Sequence, residues 1–374
     1  MEPLENAFRS TGVLSNRRSM TGPSRPIEIF TPSFADEAGT NAQNLTVKEV
    51  VARLDSQRFH VTMFYLHKPD PRISARPNTR LWKWRSHGNT MLTLVRLGAK
   101  VPDVYFFPRE GPLDERVLAW RSRLGWRTAV VTYIVSGGLD TLGPRSGQLR
   151  NLRYASAVVG NCRHITDLLC GLGFEAETIH DGVDRRYYFP REVARSEDEG
   201  HLTVLFAGSF RPYKRADLVV REAARWPSAQ FRLAGTGEED GACRKLAAEL
   251  GCRNVKFLGH LGQAELGREM READIFLFPS ELEGHPQVLL QAAGCGLPCV
   301  AMSWYHPDAI VDGETGLLAD SADDLSLKFG RLVQDGALRA AMSAAAAAHS
   351  MQFDWDQTAA QWAQIFERFA ERRT

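Results

Sequence analysis

Two short segments in the second half of the sequence group cations, glycine and carboxylate in patterns suited to a phosphorylated ligand. The first is Gly208-Ser209-Phe210-Arg211-Pro212-Tyr213-Lys214-Arg215. Glycine lets backbone approach a ligand closely, and Arg211 and Lys214 offer cationic donors to phosphate oxygens. Fixed cations can stabilise the charge that develops on a departing diphosphate. The plainer alternative is a solvated basic turn ahead of a helix. The second runs from Pro279 through Ser280, Glu281, Leu282, Glu283, Gly284, His285, Pro286, Gln287 and Val288 to Gln291, a carboxylate and a glycine before a helix start. Amides at the helix end around Gly284 to Val288 attract an anion, Glu283 can accept hydrogen bonds from sugar hydroxyls, and Gln291 can bond a ribose. The alternative there is an acidic capping loop. His285, beside Glu283, is expected to line the pocket rather than a core.

These segments need a frame. Short β-branched or aromatic runs alternate with amphipathic stretches, the signature of βαβ units and a parallel sheet. In the first half, Ile27 to Phe30, Val61 to Leu66, Val104 to Phe107, Thr128 to Val135 and Ala157 to Gly160 read as strands, with a helix near Asn44 to Leu54. After a break at His180-Asp181-Gly182-Val183-Asp184 and a charged linker over 191–200, the rhythm restarts. Leu202 to Ala207, Gln230 to Ala234, Asn254 to Leu258, Ile275 to Phe278 and Pro298 to Met302 read as strands, and helices are expected at 216–224, 287–293 and from Asp323 onward. Two doubly wound α/β units follow, with ligands expected outside the carboxyl ends of the strands. Both segments lie there.

Composition narrows the rest. The chain has 374 residues, 44% hydrophobic and 24% charged, enough for two cores and typical of a soluble globular protein. No apolar run reaches a membrane span, and the polar first 26 residues give no sign of a secretory signal. The six cysteines (162, 170, 243, 252, 295, 299) form no C-x-x-C pair, so reduced core thiols in a cytoplasm are expected. Residues 1–190 carry 26 basic and 18 acidic residues, a net +8, and the remainder 20 and 27, a net −7. A basic half could face an anionic membrane surface or acceptor, and the Arg- and Trp-rich stretch 72–90 could dock there, stack on a sugar acceptor, or be a solvated loop with two buried anchors. Gly235-Thr236-Gly237 suggests a dinucleotide fingerprint, but Asp240 stands where a third glycine belongs, so NAD is not expected. No metal set has usable spacing.

From Ala157 onward the sequence resembles the retaining glycosyltransferases of the large bacterial family 4. ASAVVGNCRHITDLLCGLGF, HDGVDRRYYFP, NVKFLGHLGQAELGREMREADIFLFPSELEG, GCGLPCVA, DAIVDGETGLLAD and FDWD carry the resemblance over about 220 residues. It implies a GT-B fold: two Rossmann-like doubly wound domains facing across a cleft, with a C-terminal helix crossing back to the first. The implied division is a lead-in over 1–25, an acceptor domain over 26–185, a nucleotide-sugar domain over 186–355 and the crossing helix over 356–374. It implies retaining transfer from a nucleoside diphosphate-sugar to a hydroxyl acceptor, a glycan, lipid-linked saccharide or natural product. No cofactor or metal is implied beyond the donor substrate.

Residue by residue, Lys214 falls on the family's diphosphate lysine and Glu283 on the first carboxylate of its E-x7-E motif. Gly39 and Thr40 resemble its glycine-rich loop near the donor phosphates. Gly208, Ser209, Gly235, Gly237, His260 and Leu261 join Gly284, His285, Pro286, Gln287, Val288 and Gln291 as expected donor contacts, the base being met by backbone near His260 and Leu261. Lys214, Arg211 and Glu283 are the expected catalytic group. Four positions depart from the family pattern. Gln291 replaces the second glutamate, Ser209 replaces an arginine for which Arg211 could substitute, Tyr133 replaces a histidine, and Tyr305-His306 replaces Gly-Gly. These departures motivate one alternative, a catalytically silent GT-B protein acting as a scaffold. The expected location is cytoplasmic, with the basic half able to lie on the inner membrane face, and no nucleic-acid partner is expected.

Overall fold

The computed structural model describes residues 25–37, 42–85, 89–108, 111–135, 152, 154–191 and 202–371. Among these, thirteen strands form two sheets in which all the strand pairings are parallel. The first holds β1 (Ile27–Phe34), β2 (Phe59–Tyr65), β3 (Thr79–Lys83), β4 (Val104–Phe106), β5 (Ala129–Ile134), β6 (Ala157–Gly160) and β7 (Ala176–Thr178), in the order β3-β2-β1-β4-β5-β6-β7. The second holds β8 (Thr203–Ala207), β9 (Gln230–Ala234), β10 (Val255–Gly259), β11 (Ile275–Phe278), β12 (Cys299–Met302) and β13 (Gly316–Ala319), in the order β10-β9-β8-β11-β12-β13. Each order reverses direction once, between β1 and β4 and between β8 and β11. Such a switch point leaves a crevice at the strands' carboxyl ends where ligands bind.

The central strands are near-continuous apolar runs because helices cover both faces. Helices α1 (Ala42–Arg53), α2 (Pro71–Ser74), α3 (Asn89–Ala99), α4 (Pro112–Arg123) and α5 (Arg163–Gly171) accompany the first sheet. Helices α6 (Ala216–Arg225), α7 (Asp240–Glu249), α8 (Gln263–Glu272), α9 (Gln287–Gly294), α10 (Ala322–Gln334) and α11 (Gly336–Ser350) accompany the second. The last helix, α12 (Trp355–Glu371), returns to the first sheet and places Trp362, Ile365 and Phe366 in a core with Ile29, Phe106 and Tyr133. The Trp362 ring meets Phe106 at 4.8 Å and Tyr133 at 5.0 Å between centroids. Gly182 lets that crossing happen, since a Cβ there would lie 2.4 Å from the Trp355 backbone nitrogen.

Over its described residues the Arg- and Trp-rich stretch 72–90 is largely regular structure rather than a loop, and the two anchors expected there are Trp82 and Trp84. It supplies α2 and the edge strand β3, with Trp82 and Trp84 packed against Phe30, Phe34 and Phe64. A strand with no buried residue, its positions half-buried or exposed, suits a sheet edge and is easily mistaken for loop sequence. No helix among the described residues is long and apolar enough to cross a membrane. Gly39, Thr40 and, apart from Arg191, the expected linker over 191–200 lie outside the described residues.

Candidate active site

The loops after β8 and β11 flank the switch point of the second sheet, which is why the two chemistry-bearing segments meet. Glu281 N donates to Tyr213 O at 2.8 Å, Arg215 pairs with Glu281, and Lys214 Nζ pairs with Glu283 Oε1. Ser280 Oγ donates to the same Glu283 oxygen at 2.5 Å. Lys214 Nζ also lies 5.1 Å from the Phe278 ring centroid, an attraction that holds the ammonium over the end of β11. Both side chains of the Lys214–Glu283 pair are 13% exposed, so solvent screens the pair only in part.

A cavity of about 560 Å³ opens over this pair, between the two sheets. From the second domain, Gly208, Ser209, Gly235, Thr236, His260, Leu261, Glu283, Gly284, His285, Pro286, Gln287, Val288 and Gln291 line it with Lys214. Leu45, Thr46, Val135, Asn161 and Asp181 form the facing wall. The walls touch: Gln287 Nε2 donates to Asp181 Oδ2 at 3.1 Å, and Cys162 Sγ lies 3.6 Å from Gly284 O.

Most of the expected contacts therefore share one cavity, and two do not. Arg211 is exposed, starts the short 3-10 turn Pro212–Lys214 and is absent from the lining. Gly237 is also outside it. A Cβ there would lie 2.4 Å from Phe210 O, so this glycine serves packing between the loops after β8 and β9. Gly235 combines both roles. It lines the cavity at φ +134°, and a Cβ would fall 1.8 Å from Gly208 O. His285 is buried and lines the cavity, as expected, and burial pushes its imidazole down to about 3.

Asp181 was legible only as part of a hinge. It is buried between Thr46 Oγ1 (2.9 Å), the Tyr133 hydroxyl (3.0 Å) and Gln287 Nε2 (3.1 Å), each donating to its carboxylate. Burial raises its pKa, while those three hydrogen bonds and the neighbouring His180 oppose the rise. Tyr133, standing where the family pattern has histidine, is thereby committed to Asp181 and to the Ile179 carbonyl at 3.1 Å. Asn161 was missed, although it directly follows β6, where the rule about strand ends could have found it.

The α9 N-terminus completes the second-domain wall. Pro286 caps it at φ −65° and contributes no N–H, and Leu289 N donates to Pro286 O at 3.0 Å, which leaves the Gln287 and Val288 amides to face an anion. One ammonium, a helix N-terminus, a carboxylate and glycine-bordered backbone on one wall can bind a diphosphate beside a hydroxyl-rich group.

Residues 201–335 match the family model described as Glycosyl transferases group 1. The D-inositol 3-phosphate glycosyltransferase of Acidothermus cellulolyticus is 32% identical over 235 residues, covering 57% of this chain and 52% of that protein. The protein of the same name from Mycolicibacterium paratuberculosis is 36% identical over 201 residues, covering 49% and 45%. The chain thus spans about half the length of these curated relatives. Sucrose-phosphate synthase from Thermosynechococcus elongatus superposes with a TM-score of 0.74 at 18% identity, over 92% of this chain and 99% of that one. Anabaena Alr3699/HepE, solved with UDP and glucose, gives 0.72 at 17% identity over 90% and 98%. The second domain of this chain is thus similar to the group 1 glycosyl transferases, and the chain as a whole has the GT-B architecture.

Proposed function

We propose that this chain transfers a sugar from a nucleoside diphosphate-sugar to a hydroxyl acceptor, with retention of anomeric configuration and without a metal ion. The observation that carries the reading is the Lys214–Glu283 pair at the cavity wall beside the α9 N-terminus. Lys214 and the helix-end amides hold the diphosphate, and Glu283 holds the sugar's hydroxyls. Gln291 bonds the ribose, and backbone near His260 and Leu261 meets the base. As the anomeric carbon–phosphate oxygen bond breaks, the acceptor oxygen bonds that carbon from the same face. The acceptor's proton passes to the departing phosphate oxygen. Glu283 positions and stabilises, with no covalent intermediate.

The neighbour solved with UDP and glucose makes uridine nucleotides the first donors to test. The first domain presents the acceptor, and its basic surface makes a lipid-linked acceptor at an anionic membrane face a reasonable target. The test is turnover of UDP-, GDP- and ADP-sugars with a panel of hydroxyl acceptors, read by mass spectrometry, with the product anomer assigned by NMR and the assay repeated with EDTA. Donor-dependent product of unchanged anomeric configuration, unaffected by EDTA, is expected. Inverted product or loss of turnover with EDTA contradicts the mechanism. Nucleotide binding with no turnover for any pair favours a silent scaffold, the reading that Gln291 in place of glutamate motivates.

A further inference from the structure

Helix α3 is apolar on two faces, where a helix on the surface of a soluble domain needs only one. Thr90, Thr93, Leu94 and Leu97 are buried, and the two leucines join the core beneath the first sheet's aromatic cluster. Met91, Leu92 and Val95 are 54%, 48% and 60% exposed. Spacings of three and four residues set these side chains beside one another on the helix. Arg96 is the single charged residue between Asn89 and Ala99. A helix that is apolar outward as well as inward is expected to be covered on its outer side. The other exposed large hydrophobic residues among the described ones stand singly along the chain, as on any soluble protein.

The border of that face is cationic. A groove of about 560 Å³ runs between β3 and α3, lined by Arg80, Trp82 and Lys83 on one side and by Arg96, Ala99 and Lys100 on the other. No acidic residue lines it among the described ones. Glu28 bonds Arg80 and Lys100, and the Arg96 guanidinium lies 5.2 Å from the Trp82 ring centroid. Helical periodicity puts Met91, Leu92, Val95 and Ala99 in one stripe with Arg96 and Lys100 along its β3 side. An apolar stripe with cations at its edge matches an anionic lipid surface: the stripe enters the acyl boundary while the cations stay with the phosphates. A second copy docked through the same face about a two-fold axis would set these cations against one another. Strand β3 ends at Lys83 and α3 begins at Asn89, so the Met91–Leu92 end of the helix lies toward the carboxyl ends of the first sheet's strands. Val135 and Asn161 of the cavity wall follow strands β5 and β6 at that same edge.

We propose that the outer face of α3 and the β3–α3 groove form a docking surface for an anionic lipid bilayer. Met91, Leu92 and Val95 enter the boundary between headgroups and acyl chains, and Lys83, Arg96 and Lys100 bind lipid phosphates. Docking in this way turns the cleft edge of the first domain toward the lipid. The inference goes beyond the donor chemistry proposed above and stands without it.

The experiment is vesicle flotation without nucleotide. The vesicles are phosphatidylcholine alone, or phosphatidylcholine and phosphatidylglycerol in equal parts, at low and at high salt. The wild type is expected to bind the anionic vesicles at least about tenfold more tightly than the neutral ones at low salt, and to lose most of that preference at high salt. Leu92→Glu combined with Val95→Glu, both at exposed positions, should weaken binding to anionic vesicles about 100-fold. Lys83→Ser combined with Arg96→Ser should weaken it about 25-fold, since each cation near an anionic surface is worth about a factor of five. Leu327→Glu, at an exposed position of α10 in the second domain, should bind as the wild type does. Circular dichroism and thermal unfolding establish which variants are folded, and either folded double variant decides the matter. Absence of vesicle binding, equal binding to neutral and anionic vesicles, or a folded double variant that binds as the wild type does overturns the inference. So does a vesicle-free dimer, seen by analytical ultracentrifugation, that Leu92→Glu with Val95→Glu splits into monomers.

Discussion

Replacing Lys214 with alanine should weaken binding of a nucleoside diphosphate by roughly 30- to 150-fold. At about 4 Å and an effective dielectric near 20, one ammonium–phosphate charge pair is worth about 4 kcal/mol. Lys214 is already paired with Glu283, and loosening that pair takes back about 1–2 kcal/mol, leaving about 2–3 kcal/mol, with each 1.4 kcal/mol a factor of ten. The substitution also leaves Glu283 unpaired beside an incoming anion. A double variant, Lys214→Ala with Glu283→Gln, removes that repulsion and should bind the nucleotide about tenfold more tightly than Lys214→Ala alone. Calorimetry at two salt concentrations reads both effects, and the wild type should show the steeper salt dependence. Lys214→Ala affinity within threefold of wild type, or a double variant no better than the single one, would refute the electrostatic account of the cavity.

Arg211 lies outside the cavity, so Arg211→Ala should leave nucleotide affinity within about twofold; a loss approaching that of Lys214→Ala would restore it to the site. Gly235→Ala forces a Cβ to 1.8 Å from Gly208 O at φ +134°, so denaturant unfolding should show a loss of about 3 kcal/mol or more, and a variant of unchanged stability would refute the packing role. The folded-state pKa of His285, about 3, lies below its ordinary 6.5, so its stabilising contribution is present above about pH 6.5 and lost as pH falls toward 3. Between pH 7 and 5.5 urea unfolding should therefore register about 1 kcal/mol of loss from this group, absent in His285→Phe; an identical pH dependence in that variant would contradict the burial.

How far the sequence carried depends on where each signal resides. The second domain was legible nearly strand by strand, because its buried parallel strands are short apolar runs bounded by Gly and Pro, as at Ile275–Phe278 before Pro279. Strand β3 was not, since an edge strand reading Thr-Arg-Leu-Trp-Lys carries charge on its open side and resembles a loop. Lys214 and Glu283 were found because both lie in loops after strands and fall on motif positions of the resembled family. Asn161 and Asp181 obey the same rule and were passed over, and the bond from Gln287 that ties Asp181 to the second domain spans 106 residues, which leaves no local pattern. Arg211 was recommended by its charge and its place three residues before Lys214, and its exposed side chain is absent from the cavity lining.

The most direct measurement is a crystal structure with a nucleoside diphosphate bound. The account predicts the diphosphate against Lys214 Nζ and the α9 N-terminus, with the ribose near Gln291 and the base against the His260–Leu261 backbone. A diphosphate bound elsewhere, with the Lys214–Glu283 pair untouched, would contradict it.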